Sequence, residues 1–469
     1  MKYNIPRMNK FINRELELES LDQLYRRIGG CLTVVYGRRR LGKTALLREF
    51  VKDKSAVYYM ADKAGEVSQR DSMARTMAMS LNEPLLESVR YDSWYDLFSA
   101  FDRVRDDSKK RVLIIDEYQY LCQVQPAFSS FIQKWWDEHW MSDNLMVVLC
   151  GSLTSMMYKE TLSQSSPLYG RVDGQILLRP LDYRHVVHFV SGSSEERRVE
   201  QYALCGGVPR YLELMQGFQS FKQALVDGVF YSHAPLHNEA RYLLQDEVDV
   251  PNTCWSLLEA IASGATRISE LASRLALPAN SLTRYIALLR DLSIVEREVP
   301  VMENNPAKSK RGVYQITDAF LRLWFGCVYP YESFLEVGLN DAVFSRVQPL
   351  LQRHVEFIFE KMCRDYAREH FALELDAVRV GRQWGAHYEI DIAGVDRANR
   401  LVLAGECKWS NLKVGLSVLR ELQQTVHEQK LTVSSGIKWV LFSKCGFTDD
   451  LREYAGLHSE VFLVESLYE

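Results

Sequence analysis

The residues with the clearest chemical potential form the run GRRRLGKT at positions 37–44. This run fits the pattern GxxxxGK[ST] and stands between a β-branched strand pattern and a helical pattern. In such a loop, glycines such as Gly37 and Gly42 let backbone N–H groups turn toward phosphate oxygens, and the helix N-terminus adds partial positive charge. Lys43 is then expected to reach the β- and γ-phosphates of a nucleotide, and the Thr44 hydroxyl to ligate Mg²⁺. A plain strand-to-helix turn is the alternative.

Acidic and polar residues end two further apolar strand patterns. Asp116 and Glu117 follow the strand in RVLIIDEYQYL, and Ser152 ends LMVVLCGS. Beside a phosphate-binding loop, Asp116 fits the Mg²⁺ shell and Glu117 fits polarisation of an attacking water. Ser152 stands where a γ-phosphate sensor is expected in a parallel sheet. An ordinary strand end is the alternative for all three residues. The guanine-reading pattern NKxD is absent from the sequence, which favours ATP.

A second set of charged residues lies near the carboxyl end of the chain. The segment at 384–409 predicts two strands around a turn at 396–400. Because strand side chains alternate, Glu406 and Lys408 share a face, and hairpin pairing places Asp391 beside them. By the same alternation, Ile390 and Ile392 are expected to face one side of the first strand. A solvated strand face that carries Glu and Lys is the alternative.

The order of these residues resembles the PD-(D/E)XK nuclease core, a helix-plus-sheet fold of restriction-enzyme type. A helix pattern from Gln348 supplies the carboxylate of Glu360, Asp391 follows on a strand, and the motif ends in Glu406-Cys407-Lys408. The resemblance implies hydrolysis of a phosphodiester to leave a 5′-phosphate. It implies Mg²⁺ ligation by Asp391 and Glu406, with help from the Cys407 carbonyl and Glu360. It also implies that Lys408 orients the attacking water or offsets charge on phosphorus. Ile-Asp replaces the usual Pro-Asp, which leaves specificity open.

The totals of the chain restrict its class. A length of 469 residues suggests about three domains. A net charge of −4 excludes a global basic field, so any nucleic-acid contact must come from local patches. Nine scattered cysteines without a CxxC pair indicate reduced thiols, not zinc or a disulfide framework. The N-terminus lacks an apolar signal region and no stretch approaches about 18 apolar residues, so we expect a cytoplasmic protein without a membrane partner.

Several segments resemble the archaeal-type AAA-related ATPases, P-loop proteins of bacteria and archaea that are close to the signal-transduction ATPases. These segments are FINRELELESL, GRRRLGKT, LIIDEYQYL, LCGSLTSMM, SPLYGR and CGGVPRYL. The resemblance implies that Arg14 and Glu15 lie by the adenine entry and that Arg171 senses the γ-phosphate or acts as a finger. It also implies that the glycines at 206–207 and Pro209 belong to a helical lid. A surface arginine and a simple helix end are the respective alternatives. A finger that acts in trans requires a homo-oligomer.

The middle of the chain has the pattern of a winged helix-turn-helix. Residues 255–301 predict three helices and a strand, and 308–317 predicts the second strand of a wing. The wing tip reads AKSKR, where cations can contact phosphates. The candidate nucleic-acid contacts are Arg284, Lys308, Lys310 and Arg311. A bracket that packs on the ATPase without touching nucleic acid is the alternative.

Together these patterns predict an α/β chain of three parts. They are a P-loop ATPase with a parallel sheet and helical lid at 1–235, a winged helix at 236–325 and a restriction-endonuclease-like domain at 326–469. The expected function is ATP hydrolysis coupled to metal-dependent cleavage of nucleic acid, DNA rather than RNA, in defence or mobile-element biology. ATP and Mg²⁺ are the expected cofactors. The alternative is a non-cleaving ATP-dependent switch or DNA-binding regulator whose C-terminal domain binds a partner.

Overall fold

The computed structural model of the chain describes residues 11–104, 109–152, 154–190, 193–248 and 250–468. The expectation about a secretion signal depends partly on residues 1–10, which lie outside this set. The chain forms two compact units. The first contains the residues up to Leu181 together with 208–210 and 241–249, and the second contains 182–207, 211–240 and the chain from Val250 onward. The expected bounds 1–235, 236–325 and 326–469 remain a prediction.

Strands and helices alternate in the first unit. Its helices are α1 (Glu15–Tyr25), α2 (Lys43–Phe50), α3 (Glu66–Leu81), α4 (Leu85–Ser88), α5 (Trp94–Val104), α6 (Tyr118–Val124), α7 (Phe128–Trp135) and α8 (Thr154–Met157). Its strands are β1 (Cys31–Tyr36), β2 (Ala56–Met60), β3 (Arg111–Asp116), β4 (Leu145–Gly151) and β5 (Gly174–Leu177). Strands β1, β3 and β4 are apolar and almost wholly buried, as expected for a parallel sheet covered on both faces.

The sheet of the first unit brings three loops to one edge. Its strands are parallel and run in the order β2-β3-β4-β1-β5. Because the carboxyl ends of parallel strands meet at the same edge, the segments after β1, β3 and β4 converge there. These segments are 37–44, 116–117 and 151–152. The sequence prediction of an α/β fold with a parallel sheet is confirmed.

The second unit contains the predicted helix-turn-helix pattern. Its helices are α9 (Glu195–Cys205), α11 (Phe221–Leu225), α13 (Pro251–Ala262), α14 (Ile268–Leu275), α15 (Ala279–Asp291), α16 (Ala319–Leu323) and α17 (Glu332–Glu336). Two further helices, α10 (Pro209–Met215) and α12 (Glu239–Glu247), contain residues of both units. Strands β6 (Val295–Glu298) and β7 (Val313–Ile316) pair antiparallel as a wing after α15.

A mixed sheet between helices forms the end of the chain. Its strands are β8 (Arg379–Trp384), β9 (Glu389–Val395), β10 (Leu401–Lys408), β11 (Val433–Ser443) and β12 (Val461–Val464). They run in the order β12-β11-β10-β9-β8, antiparallel from β8 to β10 and parallel from β10 to β12. Helix α18 (Asn340–His370) packs on one face, and α19 (Leu416–Glu428) and α20 (Asp449–Leu457) pack on the other. The predicted turn at 396–400 joins β9 to β10.

Helix α18 begins before the predicted start at Gln348 and runs through Pro349. A proline inside a helix leaves the carbonyl four residues earlier without its N–H partner. Pro349 is exposed, so water can reach that carbonyl, that of Ser345. The apolar stripe continues on both sides, with Val347 and Leu351 buried, and this packing stabilises the longer helix.

The strand β9 also differs from its predicted alternation. Gly381 pairs with Ala393 and Gln383 with Ile390, so β9 carries one extra residue opposite β8. This bulge turns Ile390 into the apolar cluster under α19 and α20, whereas Ile392 packs in the cluster under α18. The expectation that both isoleucines face one side was wrong, because alternation does not survive a bulge.

Among the described residues, no helix is long and apolar enough to cross a membrane.

Candidate functional site

The loop after β1 has the backbone of a phosphate-binding loop. Gly37 has a φ of +147°, and a Cβ at this position would clash with the carbonyl oxygen of Leu178. Gly42 has a φ of +91° and immediately precedes the first residue of α2, Lys43. Both conformations favour glycine. The loop therefore ends at the N-terminus of a helix, where backbone N–H groups and the helix dipole favour an anion.

Lys43 is held against this loop by its own backbone. Its side chain is buried, and Nζ donates to the carbonyl of Gly37 at 2.6 Å and to that of Arg38 at 3.0 Å. The ammonium is therefore fixed at the loop that would receive the phosphates. This position agrees with the predicted role.

Thr44 and Asp116 meet in a partly buried hydrogen-bond network. The Thr44 hydroxyl donates to Oδ2 of Asp116 at 2.9 Å, and the Tyr58 hydroxyl donates to the same oxygen at 2.6 Å. Asp116 is 1% exposed. Burial and the neighbouring charge of Asp116 raise the pKa of Tyr58, which keeps the phenol a donor. The two predicted Mg²⁺ residues thus lie together, and Tyr58 holds the carboxylate from the adjacent strand.

Glu117 and Ser152 are also brought into contact. Glu117 has a left-handed φ of +54° at the start of α6, an uncommon conformation that is often found at functional sites. The Ser152 hydroxyl donates to Oε2 of Glu117 at 2.9 Å. The side-chain amide of Gln119 donates to the same oxygen and, at 3.2 Å, to the Ser152 hydroxyl. The carboxylate that would polarise water is therefore held from two sides.

Arg14 and Arg171, whose nucleotide roles were assigned by resemblance, form contacts with other parts of the protein. Arg14 is buried and donates to the carbonyls of Arg179 at 2.7 Å and of Leu41, in the phosphate loop, at 3.3 Å. Arg171 forms a two-bond ion pair with Asp137, at 2.8 and 2.7 Å. Their nucleotide roles remain predictions.

The lid residues occupy helix ends. Gly206 follows the last residue of α9, and its N–H donates to the carbonyl of Tyr202 at 2.7 Å. Pro209 is the first residue of α10. The position of Gly206 agrees with the helix-end alternative, and the lid role of these residues remains a prediction.

The second set of charged residues converges at the ends of β9 and β10. Gly405 on β10 pairs with Ile392 on β9. Beyond this pair, the N–H of Cys407 donates to Oδ2 of Asp391 at 3.0 Å. Lys408 Nζ donates to Oε1 of Glu406 at 2.6 Å. Asp391 lies at the bulge of β9, a feature that re-aims side chains and is common beside active sites. The geometry thus gathers Asp391, Glu406 and Lys408, through the hairpin of β9 and β10 and in spite of the bulge that breaks the alternation of β9.

Glu360 on α18 adds a third carboxylate to this cluster. Burial and the charge of Asp391 raise the pKa of Glu360 to about 7, against the opposing charge of Arg364. Burial and Asp391 likewise raise the pKa of Glu406 to about 7, against Lys408. Burial alone would lower the pKa of Lys408, but the charges of Glu406 and Asp391 outweigh it and raise that pKa. A bound cation would relieve the repulsion of Asp391 with Glu360 and with Glu406.

The donor set partly fits a divalent cation. Asp391 and Glu406 supply carboxylate oxygens, which Mg²⁺ prefers, and the Cys407 carbonyl belongs to the same strand end. The Cys407 thiol is buried in the apolar cluster under α18. Within the described ranges, no three His, Cys, Asp or Glu side chains are close enough to hold a metal together. A divalent cation at this position would therefore be bound by the two carboxylates, and backbone and solvent oxygens would complete its ligands.

Two segments of this chain match families of known proteins. Residues 11–215 match a family described as an ATPase domain predominantly from Archaea, and 324–418 match archaeal and bacterial proteins of unknown function. An uncharacterised protein of Methanocaldococcus jannaschii is 30% identical over 406 residues, which is 86% of this chain and 88% of the relative. The chain belongs to this family of archaeal-type ATPases.

Two further proteins are similar to parts of this chain. The archaeal-type ATPase is similar to a Walker-type ATPase of Pyrococcus abyssi, with a TM-score of 0.52 and 19% identity, over 68% of this chain and 97% of the other. An uncharacterised ATP-binding protein of M. jannaschii is 43% identical over 44 residues, which is 9% of this chain and 75% of the relative. The structural similarity concerns the fold alone.

The wing of the archaeal-type ATPase packs on the edge of the C-terminal sheet. The N–H of Val301 donates to the carbonyl of Arg382 on β8 at 2.9 Å, and Arg382 pairs with Glu298 on β6 at 2.7 Å. Arg311 donates to the carbonyl of Trp384. The wing is therefore braced within the second unit. The four candidate contacts are nevertheless exposed, namely Arg284, Lys308, Lys310 and Arg311.

Sequence reasoning missed Tyr58 and Gln119. Tyr58 lies on β2, and only the pairing of β2 with β3 places its hydroxyl on Asp116. Gln119 stands two residues after Glu117 and is fully buried. A polar residue in the first turn of an apolar helix was the available signal for Gln119, whereas Tyr58 gave none.

Proposed function

We propose that this archaeal-type ATPase uses ATP to control metal-dependent cleavage of nucleic acid by its C-terminal carboxylate cluster. The convergence of Asp391, Glu406 and Lys408 at the ends of two paired strands is the observation that carries the proposal. Their order with Glu360 resembles the PD-(D/E)XK core. The proposed substrate is a polynucleotide, DNA rather than RNA, in defence or mobile-element biology.

The ATPase step follows from the contacts at the sheet edge. Lys43 would bind the β- and γ-phosphates, with Gly37 and Gly42 shaping the loop. Thr44 and Asp116 would hold Mg²⁺, since their oxygens already meet. Ser152 and Gln119 donate to Glu117 and would keep its carboxylate oriented toward an attacking water.

Arg171 would act as a finger only after it leaves Asp137. A finger in trans would make the protein a homo-oligomer, since the second copy would supply the arginine. Arg14 and Pro209 are proposed to border the nucleotide on the strength of the resemblance.

The residues of the C-terminal cluster divide the chemistry of cleavage. A divalent cation bound by Asp391 and Glu406 would supply charge neutralisation at the scissile phosphate and an acidified water. Lys408 is protonated and can donate to a phosphate oxygen as negative charge develops on it. Its ion pair with Glu406 holds both side chains at the strand end. Glu360 would add negative charge to the cluster when it is deprotonated, and its raised pKa means that a bound cation would favour this deprotonation.

Nucleic acid is proposed to lie along the exposed cations of the winged helix. Wing-tip cations bind phosphates without reading sequence. This arrangement suits an enzyme whose net charge of −4 gives no general attraction to nucleic acid.

A cleavage assay with the full chain tests this function. Wild type and Asp391→Ala are incubated, with and without ATP, with duplex DNA, single-stranded DNA and RNA in Mg²⁺, Mn²⁺ or chelator. Wild type should cut when Mg²⁺ or Mn²⁺ is present and should not cut in chelator. The activity of Asp391→Ala should be lower by about 100-fold or more, because the substitution removes a hard metal ligand. Wild type that leaves all three substrates intact in both metals would contradict the proposal.

A non-cleaving ATP-dependent switch is the second candidate. It is favoured by the lack of a three-side-chain metal group within the described residues and by the existing pairing of Lys408 with Glu406. In that case the C-terminal unit binds a partner, and Asp391→Ala has no effect on nucleic acid.

A further inference from the structure

The end of helix α12 lies on the phosphate-binding loop. The N–H of Arg39, the third residue of the loop, donates to Oε1 of Glu247 at 3.0 Å. The guanidinium of Arg39 forms an ion pair with Asp246. The loop and this end of α12 belong to the same compact unit. Two adjacent carboxylates therefore contact a loop whose positive charge is expected to receive phosphates.

Glu247 places a buried carboxyl group inside a loop that is expected to bind anions. It is 2% exposed, and its Oε2 has no hydrogen-bond partner in the described part of the chain. Burial raises the pKa of Glu247, whereas the N–H of Arg39 and the positive charge of Lys43 act in the opposite direction. A carboxylate oxygen that accepts from a loop N–H has the chemistry of a phosphate oxygen.

The position of Arg39 indicates which end of the nucleotide is affected. Arg39 directly follows Arg38, whose carbonyl accepts a hydrogen bond from Nζ of Lys43 at 3.0 Å. Lys43 is the residue expected to reach the β- and γ-phosphates. Arg39 and the carboxylates on it therefore lie toward that end of the loop, so a triphosphate meets their charge more strongly than a diphosphate.

We propose that Glu247, assisted by Asp246, is an internal anion that weakens ATP binding and must withdraw from the loop when the γ-phosphate arrives. It competes with phosphate for the charge of Lys43 and Arg39 and so sets the preference between ATP and ADP. The chain enters the second unit at Val250, directly after this segment. Withdrawal of α12 would thus reach that unit through the covalent chain. This role belongs to the ATPase domain and does not depend on cleavage of nucleic acid.

The test compares nucleotide affinity in full-length variants by isothermal titration with ATP and ADP. Glu247→Gln keeps an acceptor for the Arg39 N–H but removes the charge, and it should bind ATP about tenfold tighter, with a smaller gain for ADP. Asp246→Asn should give a smaller gain in the same direction, and its side chain is 45% exposed, so the core is not disturbed. The matched control is Asp22→Asn, which removes the charge from an ion pair with Lys54 in the same unit and should change neither affinity.

Unchanged or weaker ATP binding by both Glu247→Gln and Asp246→Asn would overturn the proposal and make the contact a structural brace. A second measurement follows withdrawal directly. Amide hydrogen exchange in residues 241–248 should become faster when a non-hydrolysable ATP analogue is added to wild type. Exchange that stays the same or slows with the analogue would also overturn it.

Discussion

Replacing Tyr58 with Phe is expected to destabilise the amino-terminal unit. It removes the phenol hydrogen bond to Oδ2 of Asp116 at 2.6 Å, in a place where Asp116 is 1% exposed and water cannot easily replace the donor. Hydrogen bonds to charged groups contribute roughly 1.5–3 kcal/mol. Because Thr44 keeps a donor on the same oxygen, we expect the lower part of that range, about 1.5–2 kcal/mol.

Thermal unfolding followed by calorimetry measures this loss. A free-energy change of 1 kcal/mol shifts Tm by about 2–4 °C in a unit of this size, so the transition should fall by about 3–8 °C. The matched control is Tyr59→Phe on the same strand. The Tyr59 hydroxyl donates only to uncharged oxygens of Gln69, at 3.0 and 2.6 Å, so its removal should cost about 1 kcal/mol. If Tyr58→Phe melts no lower than Tyr59→Phe, the charge-assisted bond to Asp116 is refuted.

Other predictions concern nucleotide turnover and nucleic-acid binding. Lys43→Ala should abolish ATP binding, because Lys43 binds the phosphates. Glu117→Gln should bind ATP but stall hydrolysis, because Glu117 orients the attacking water. Equal turnover by wild type and Glu117→Gln in a phosphate-release assay would contradict this division of roles. Replacing Lys308, Lys310 and Arg311 together with Ala should weaken duplex binding across sequences and reduce its salt slope by about three units, roughly one per lost phosphate contact. A slope that stays the same in titrations at several salt concentrations favours the bracket role.

The parts of the site that sequence could predict are those made by neighbours in the chain. The loop at 37–44 folds locally between a strand and a helix, so its pattern alone indicated Lys43 and Thr44. The antiparallel hairpin of β9 and β10 was enough to indicate that Asp391 lies near Glu406. Both follow from short-range geometry.

The parts that sequence could not predict depend on distant pairing or on breaks in regular geometry. Tyr58 reaches Asp116 because β2 pairs with β3, and Glu247 reaches Arg39 from 208 positions away. No periodicity encodes such contacts. The bulge that separates Ile390 from Ile392 is likewise invisible to an alternation rule, since one extra residue reverses every later side chain.

Isothermal titration of Mn²⁺ into wild type, Glu406→Ala and Lys408→Ala, with a cleavage gel on the same preparations, tests the central claim most directly. Glu406→Ala should lose both metal binding and cleavage, because it removes a ligand. Lys408→Ala should lose cleavage but still bind Mn²⁺, because an ammonium cannot be a ligand. Both variants should keep wild-type ATPase activity, since the phosphate loop belongs to the other unit. Three proteins with the same Mn²⁺ binding and the same gel would contradict the claim and leave Glu406 and Lys408 as a solvated ion pair.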